Sequence, residues 1–305
     1  MIDRADMMLP PSWYEASARR RLAALLDPGS FTEFLGPEAR ETSPHLGIFD
    51  LPVQFDDGII VGKGRLDGSR VLVAAQEGRF MGGAFGEVHG AKLTGILRAA
   101  RDNPALPVLI LFDTGGVRLQ EANAGEMAIA EIIRAAVEAR LAGAKIIGLI
   151  GGRAGCYGGG GIVAACCSAL AVTEQGRISV SGPEVIETNR GVEEFDSRDR
   201  PLVWRTMGGK HRYLLGSAAA FVEDTPAAFR AKAVELLAAA PGLSLDTLRA
   251  EQARLAERLR RFGHAKDAVD IWQALGINDA AALPGLETED FLALAQKVRA
   301  GEVRR

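Results

Sequence analysis

Two stretches of the chain place a loop with almost no side chains directly after a short apolar run. Residues 108–112 (VLILF) lead into DTGGVR at 113–118, and residues 145–150 (KIIGLI) lead into GGRAGCYGGGG at 151–161. Glycines leave backbone N–H groups uncovered, and the first turn of a helix leaves its N–H groups without intrahelical partners. Together with the positive end of the helix dipole, these groups make each junction a predicted anion site.

The chemistry available to such loops is that of main-chain amides. No side chain at 158–161 can act as an acid, a base or a nucleophile. Two amides that point at one oxygen form an oxyanion hole, and two strand–loop–helix junctions in succession can supply them. The alternative is that both loops are tight turns in which glycine permits close packing. That alternative is favoured for either loop alone, whereas the occurrence of two favours a functional role.

Length and charge narrow the class of protein. With 305 residues, of which 48% are hydrophobic, the chain can bury a large core as one or two domains. A formal net charge of -3 and the lack of a long basic run argue against nucleic acid as a partner. The N-terminus has no apolar core of signal-peptide length, and no apolar run reaches the length of a membrane span. We therefore expect a soluble cytoplasmic protein.

The cysteines indicate neither a disulfide framework nor a metal site. There are three, Cys156, Cys166 and Cys167, and an odd count with an adjacent pair lacks the spacing of zinc ligands. Cys166 and Cys167 lie among alanines and are predicted to be inert core thiols. Cys156 lies in the second glycine loop, where it is a candidate to contact substrate. A nucleophilic role would require a positioned base, which the sequence does not reveal.

Hydrophobic periodicity and turn residues predict an alternation of strands and helices. A helix is predicted at 12–26, with Ser12 as its cap and a basic face of Arg19, Arg20 and Arg21, and Asp67-Gly68 predicts a hairpin. The predicted strands are 58–66, 70–76, 108–112, 145–150 and 175–180. The further predicted helices are 91–101, 121–141, 162–170, 183–188, 204–215, 226–240, 245–262 and 291–298. This order favours α/β layering, with both glycine loops on the edge of the sheet where such folds bind ligands.

No linker or internal repeat divides the chain. We expect one domain over residues 1–305, in which an N-terminal helical arm at about 12–35 precedes a core at about 50–235. Helices fill the remainder, at about 236–305.

Four sequence segments, taken in order, resemble the carboxyltransferases of the crotonase-like superfamily. They are GGAFGEVHGAKL, FDTGGVRLQE, the second glycine loop and SVSGPEVIE, and the start RLAALLDPGSFTEF is also similar to that family. Within the family, TSPHLGIFD, RISVSGPEVIETNRG and WRTMGGKHRYLLG resemble the beta subunits of biotin-independent malonate decarboxylases. The resemblance covers about residues 17–235. It implies a crotonase-like (ClpP/crotonase) fold of repeated ββα units with helical N- and C-terminal extensions.

The resemblance also implies which residues form the site. Gly115 and Gly116 match the first oxyanion-hole loop of the family. Residues 156–159 fall where the family has a small residue, two glycines and a small residue, which places the second donor on Tyr157 or Gly158, next to Gly159. Here the chain departs from the pattern, because Tyr157 replaces a glycine. Its ring is either a wall of the pocket or a packing group.

The activity that the resemblance implies is decarboxylation of a malonyl thioester to an acetyl thioester. The malonyl group would be presented on the phosphopantetheine-type, dephospho-CoA-derived prosthetic group of an acyl carrier protein (delta), without biotin. The implied partners are a gamma subunit of the same fold class and an alpha transferase subunit. The chain lacks the cysteine-rich zinc ribbon of the corresponding acetyl-CoA carboxylase subunit, which argues against that enzyme. A biotin-dependent carboxyltransferase and a non-catalytic scaffold that docks the carrier protein stay open as alternatives.

Three polar residues near the matched segments are candidate substrate ligands. Arg118 follows the first glycine pair, where it is a candidate to bind a carboxylate or a phosphate of the carrier arm; a structural ion pair is the alternative. Lys210 and His211 are candidates to face the prosthetic group or the partner subunit, and the alternative is an ordinary exposed pair. The spacing of Gly208-Gly209-Lys210-His211 is not that of a nucleotide-binding loop.

Overall fold

One mixed sheet of seven strands organises the chain, which the computed structural model describes over residues 11–303. Each strand lies beside the strand that precedes it in sequence. The strand β2 is antiparallel to both of its neighbours, β1 and β3, and the third to the seventh strands run parallel. The strands are β1 (Thr32–Phe34), β2 (Ile59–Leu66), β3 (Ser69–Gln76), β4 (Val108–Phe112), β5 (Ile146–Ile150), β6 (Ala169–Val172) and β7 (Ala220–Phe221).

Helices connect the parallel strands and continue to the C-terminus. They are α1 (Ala18–Leu25), α2 (Pro44–Ile48), α3 (Glu87–Asp102), α4 (Asn123–Leu141), α5 (Gly159–Ala165), α6 (Pro183–Arg190), α7 (Arg200–Met207), α8 (Gly209–Leu214), α9 (Pro226–Ala239), α10 (Leu245–Phe262), α11 (Ala268–Ala274) and α12 (Thr288–Val303). Short 3₁₀ turns lie at Pro37–Ala39, Met81–Gly83, Leu119–Glu121 and Ala280–Gly285. The α/β class predicted from the sequence is confirmed. No helix within residues 11–303 has both the length and the apolar character needed to cross a membrane. The signal-peptide prediction rests in part on residues 1–10, outside this range.

The hairpin between β2 and β3 forms as the turn residues predict. Asp67 and Gly68 have φ values of 49° and 76°, and two successive left-handed residues are typical of the turn that matches the twist of paired strands. Leu66 then lies opposite Ser69, and Ile59 lies opposite Gln76.

The sheet is buried on both faces, which explains why its strands are apolar without alternation. Along β4, Val108, Ile110 and Phe112 pack into one core, and Leu109 and Leu111 pack into the other. The first core includes residues of α3, α4, α5, α11 and α12, and the second includes residues of α1 and α9. Parallel strands covered by helices on both sides are expected to be apolar throughout.

Several predicted elements differ in the structure. The helix predicted at 162–170 is α5, which begins at Gly159 and ends at Ala165, and the strand predicted at 175–180 is replaced by β6. Within the predicted span, Ile178 forms an isolated bridge to Cys156, and Arg177 forms one to Gly208. A short apolar run suits a buried helix or a buried strand equally, and pairing with β5 decides between them here.

The N-terminal helix is shorter than predicted. It begins at Ala18 with Ser17 as its cap, whereas the Ser12 hydroxyl donates to Asp224 at 2.5 Å. Helix α3 begins earlier than predicted, at Glu87. The sequence analysis missed β1, β7, α2 and α11, which are 3, 2, 5 and 7 residues long. Elements this short depend on neighbouring residues more than on their own pattern.

A buried ion pair joins α1 to the end of β4. Arg21, predicted to lie on a basic face of the helix, is only 1% exposed, and its Nη1 lies 2.7 Å from Oδ2 of Asp113. The Nε of Arg21 donates to the carbonyl of Trp13 at 2.8 Å. The other carboxylate oxygen of Asp113 accepts the N–H of Ala154 at 2.7 Å. Asp113 therefore links the helix that covers one face of the sheet to both glycine loops.

Replacing Arg21 by Met should lower the free energy of unfolding by about 3–5 kcal/mol, because it leaves the Asp113 carboxylate buried without its cation. Urea denaturation followed by circular dichroism measures this loss. The matched control is Arg20→Met, at the exposed neighbouring position, which should leave the transition midpoint nearly unchanged. Equal effects of the two substitutions would contradict the role given to the buried pair.

Candidate active site at the two glycine loops

The two glycine loops lie side by side beyond the carboxyl ends of β4 and β5. Thr114 forms an isolated parallel bridge with Cys156, and the N–H of Tyr157 donates to the carbonyl of Thr114 at 3.0 Å. A Cβ atom placed on Gly158 would lie 3.2 Å from the Cα of Gly116. The structure thus brings together the two junctions that the sequence predicts to act as a pair.

The bridges also show how the repeated ββα unit is built in this chain. Val117 follows β4 and bridges Phe85, Cys156 follows β5 and bridges Thr114, and Ile178 follows β6 and bridges Cys156. The second strand of these units is therefore reduced to single bridging residues, which hold the loops parallel to one another.

Glycine is required at the point where the loops meet. Gly158 has φ 56° and ψ −132°, and Gly116 has φ 131°, conformations that side chains with a Cβ rarely adopt. Because the two backbones also approach closely, any side chain at Gly158 would strain its own backbone and press on the first loop.

Three of the amides predicted as oxyanion donors are already hydrogen-bonded within the protein. The N–H of Gly115 donates to the carbonyl of Gly82 at 2.8 Å, that of Gly116 donates to Oγ1 of Thr114 at 3.1 Å, and that of Tyr157 donates to Thr114. The assignment of donors to Gly115, Gly116 and Tyr157 is therefore corrected. These residues shape the loops with bonds that a substrate oxygen would have to displace.

Among the N–H groups next to the contact between Gly116 and Gly158, those of Val117, Gly158 and Gly159 have no acceptor among residues 11–303. All three residues are partly exposed to solvent. The carbonyl of Phe85 accepts the N–H of Arg118, and its N–H donates to the carbonyl of Gly116. Because successive N–H groups of an extended chain point to opposite sides, the N–H of Val117 is directed away from Phe85. The sequence analysis missed Val117, although its position directly after the glycine pair is a usable signal. Gly158 and Gly159 stay predicted donors, and Val117 joins them as a candidate on the first loop.

Arg118 is a structural residue and does not reach a substrate. Its side chain is fully buried, and Nη1 lies 2.8 Å from Oδ2 of Asp57 and 3.0 Å from Oε1 of Glu121, both also fully buried. Burial raises the pKa of Asp57, and the Arg118 cation opposes that shift. The Oε2 of Glu121 accepts the N–H of Glu87 at 2.5 Å. Arg118 therefore does not bind a carboxylate or a phosphate of the carrier arm. It has the alternative role, a structural ion pair, which holds the first loop against α3.

Lys210 and His211 are likewise buried, at 5% exposure each, so both predictions for them are wrong. Nζ of Lys210 lies 3.0 Å from Glu174 and donates to the carbonyls of Pro284 and Leu286. Nδ1 of His211 accepts the indole N–H of Trp272 at 3.2 Å. The pair therefore attaches α8 to the C-terminal helices.

Cys156 and Tyr157 contribute main chain and packing. Cys156 is fully buried, and burial raises the pKa of its thiol well above the ordinary value, so the prediction that its side chain contacts substrate is also wrong. The Tyr157 ring packs with Val203 and Met207, and burial raises the pKa of its hydroxyl to about 12. Of the two alternatives for this ring, the structure supports packing.

Fold and loops together define an α/β protein of the crotonase-like carboxyltransferase type. A carboxyl transferase domain model matches residues 15–244, and the chain belongs to that family. The crotonase-like fold implied by the sequence resemblance is confirmed. The match covers α1 to α9 and both glycine loops.

Comparison with individual relatives shows which members of this family the chain is similar to. The chain is 39% identical to the malonyl-S-ACP:biotin-protein carboxyltransferase of Malonomonas rubra, over 95% of this chain and 97% of that protein. It is 34% identical to the propionyl-CoA carboxylase beta chain of Saccharopolyspora erythraea, over 65% of this chain but 36% of that protein. The crystal structure of a Pseudomonas malonate decarboxylase hetero-tetramer in complex with malonate contains a chain that is 40% identical, with a TM-score of 0.79, covering 89% of this chain and all of that one. The chain is therefore related to malonate decarboxylase subunits and to a malonyl-S-ACP carboxyltransferase.

The burial of His211 has a consequence for stability against pH. Burial lowers the pKa of His211 from 6.5 to about 3. Between these two pH values the unfolded chain binds a proton at this histidine, and the folded chain does not. Stability should fall as the pH falls below about 6.5, and His211→Gln should make that fall shallower by about 1.4 kcal/mol per pH unit once the unfolded histidine is protonated. Urea denaturation at a series of pH values tests this. The exposed His264→Gln is the matched control, and an unchanged slope in His211→Gln would refute the expectation.

Proposed function

We propose that the chain is the beta-type subunit of a malonate decarboxylase. In this proposal it acts with a gamma subunit of the same fold class and converts a malonyl thioester on an acyl carrier protein to the acetyl thioester. The support is the similarity to a malonate decarboxylase chain over 89% of this chain, and to an enzyme named for malonyl-S-ACP over 95% of it. The observation that carries it is the pair of touching glycine loops with amides left open.

The proposed reaction needs charge stabilisation more than it needs a strong base. When the C–C bond to the carboxylate breaks, its electron pair stays on the α-carbon, carbon dioxide leaves, and the thioester oxygen takes most of the negative charge as an enolate. Protonation of that carbon gives the acetyl thioester. The N–H groups of Val117, Gly158 and Gly159 would donate to the oxygen, and one such donor is worth roughly 3–4 kcal/mol. Because these donors belong to a rigid main chain, they need no reorganisation during the reaction.

The surroundings of the loops suit a protein partner. Large apolar side chains are exposed on the elements next to them: Leu119 at 88%, Met127 at 67%, Ile162 at 42% and Val180 at 67%. Apolar patches at the rim of a site are typical of an interface. The malonate decarboxylases in the solved structures are a hetero-tetramer and a hetero-dimer, and we extend that organisation to this chain, with the carrier protein and the alpha transferase subunit as further partners.

A second candidate is carboxyl transfer from malonyl-S-ACP to a biotin protein. It is favoured by the Malonomonas rubra relative, whose name states that activity. The two candidates share the cleavage of the C–C bond and the enolate, so the same amides serve both. They differ in the fate of the carboxyl group, which is released as carbon dioxide in one and attached to biotin in the other.

We expect the complex of this chain with its gamma partner to release carbon dioxide from malonyl-S-carrier protein with the same rate in the presence of avidin. Carbon dioxide release from isotopically labelled malonyl thioester measures this directly, and blotting with streptavidin reports any biotinylated subunit. Loss of turnover with avidin, or a strict requirement for an added biotin protein, would establish the second candidate instead.

Gly158→Ala should lower kcat by about 100-fold or more, because the added Cβ shifts the loop that presents the Gly158 and Gly159 amides. The matched control is Gly95→Ala, within α3, where a Cβ meets no atom within 4 Å and turnover should be unchanged. Assembly with the partner, measured by gel filtration, should be retained in both variants. Full turnover of an assembled Gly158→Ala complex would favour the scaffold role over catalysis by these loops.

A further inference from the structure

A cavity of about 440 Å³ lies between Arg177, whose side chain binds the second glycine loop, and the segment that contains α6 and α7. Arg177, Arg198 and Arg200 line it, and Glu184 is the one carboxylate among the lining residues within 11–303. Three positive charges against one negative charge leave two positive charges uncompensated. Cavities of this volume are large enough for a small-molecule ligand, and the charge of this lining favours an anion.

The Arg177 guanidinium is held in place by groups that do not neutralise its charge. Its Nε donates to the carbonyl of Gln175 at 3.1 Å, and its Nη2 donates to the carbonyls of Gly152 and Arg153. The guanidinium also lies 4.8 Å from the centre of the Trp204 ring. A cation that is already fixed loses little conformational freedom when it binds an anion.

The other two arginines lie at the start of α7 and just before it. Arg200 is exposed, and its side chain has no hydrogen-bond or ion-pair partner among residues 11–303. The side chain of Arg198 is 80% exposed, with its Nε 3.4 Å from Asp196. Asp199, between the two arginines, uses its carboxylate to cap α7 by accepting the N–H of Leu202 at 3.1 Å. Arg200 therefore offers all of its guanidinium donors to a ligand, and Arg198 offers those that Asp196 does not take.

Main-chain donors at the start of α6 add to this lining. Pro183 and Glu184, the first two residues of the helix, line the cavity. The cap residue Gly182 makes no side-chain hydrogen bond, and the N–H groups of Glu184 and Val185 have no acceptor among residues 11–303. Open N–H groups at the positive end of a helix dipole are favourable for anions.

A buried hydroxyl lies beside the same wall of the cavity. Tyr157 is 6% exposed, and its hydroxyl has no hydrogen-bond partner among residues 11–303. The Tyr157 ring lies 5.9 Å from the guanidinium carbon of Arg177, and, besides burial, the charges of Arg177 and Glu184 affect the pKa of the hydroxyl. Since buried polar groups in folded proteins nearly always have a partner, this hydroxyl is a further indication of a polar ligand at this wall.

We propose that this cavity binds a phosphate group, either of a free phosphate compound or of the carrier arm in the function proposed above. Guanidinium groups form paired hydrogen bonds with phosphate oxygens, and a helix start supplies N–H donors to them. The two uncompensated positive charges match a group that carries nearly two negative charges at pH 7. The cavity is separate from the open amides of Val117, Gly158 and Gly159, since none of these residues lines it.

Isothermal titration calorimetry of the full chain with inorganic phosphate, phosphopantetheine and pantetheine tests the site directly. We expect saturable binding of at least one phosphate-bearing probe with a Kd below about 1 mM, and none of pantetheine, which has no phosphate. Arg200→Met should raise the Kd about tenfold, because it removes charge-assisted hydrogen bonds. The matched control is Arg190→Met, at an exposed arginine on α6 that does not line the cavity, and it should leave the Kd unchanged.

Removal of the negative charge gives a test that loss of folding cannot imitate. Glu184→Gln leaves the lining with three positive charges and no carboxylate, so it should lower the Kd for phosphate about threefold or more. Higher salt should weaken the binding, since exposed charges are screened. Circular dichroism should show unchanged helix content in every variant.

Four results would overturn the proposal: no saturable binding of either phosphate-bearing probe, a Glu184→Gln variant that does not bind more tightly, an Arg200→Met variant that behaves like Arg190→Met, or malonate bound more tightly than both probes. An affinity for phosphopantetheine at least about tenfold above that for inorganic phosphate would assign the site to the carrier arm, and similar affinities would assign it to a free phosphate compound. Binding is measured without turnover, so these results hold whether or not the chain decarboxylates a malonyl thioester.

Discussion

A single buried carboxylate, that of Asp113, connects the parts of the structure on which the candidate site depends. One of its oxygens takes the guanidinium of Arg21, and the other takes the N–H of Ala154 in the second loop. Its own N–H donates to Gln76 at the end of β3. The space around it is fully used, since a Cβ on Gly78 or Gly152 would come within 2.5 Å of the carboxylate. Removing a charge from water is costly, and here the cost is offset by fixing helix, sheet and both loops relative to one another.

The polar side chains near the loops act on the loops and not on the reacting oxygen. Arg118 holds the first loop from behind through Asp57 and Glu121. Nη2 of Arg177 donates to the carbonyls of Gly152 and Arg153 in the second loop. The surface that faces outward between them is left to main-chain amides. This division agrees with a reaction in which negative charge appears briefly on one oxygen and must find donors already in place.

Large apolar side chains of residues 11–303 are exposed near the glycine loops and along α10, as well as at other places. Around the glycine loops they form a patch from several elements, next to a site whose family members work as assemblies of subunits. On α10 they form one regular line along one helix. A patch of mixed origin suits a partner with a complementary folded surface.

The sequence by itself determined the features that short-range physics controls. Apolar runs and turn residues were sufficient for β4, for the hairpin at Asp67-Gly68 and for the bounds of α10, and glycines after apolar strands were sufficient to locate both loops. These features depend on backbone freedom and on periodicity within a few residues. The order of the motifs was sufficient to indicate the family, because the loops occur at fixed places between strands.

Only the tertiary structure decided which groups are available at the site. Gly115, Gly116 and Tyr157 carry amides like those of Gly158 and Gly159, and only the position of distant acceptors such as Gly82 separates the two sets. A charged or polar side chain can bind a ligand or form a buried structural contact, and its type does not decide between the two. Burial against residues distant in sequence decides for the structural role at Arg118, Lys210 and His211. The strands β6 and β7 exist because neighbouring strands offer them hydrogen bonds. In each instance the deciding partner lies far away in sequence, where local pattern carries no information.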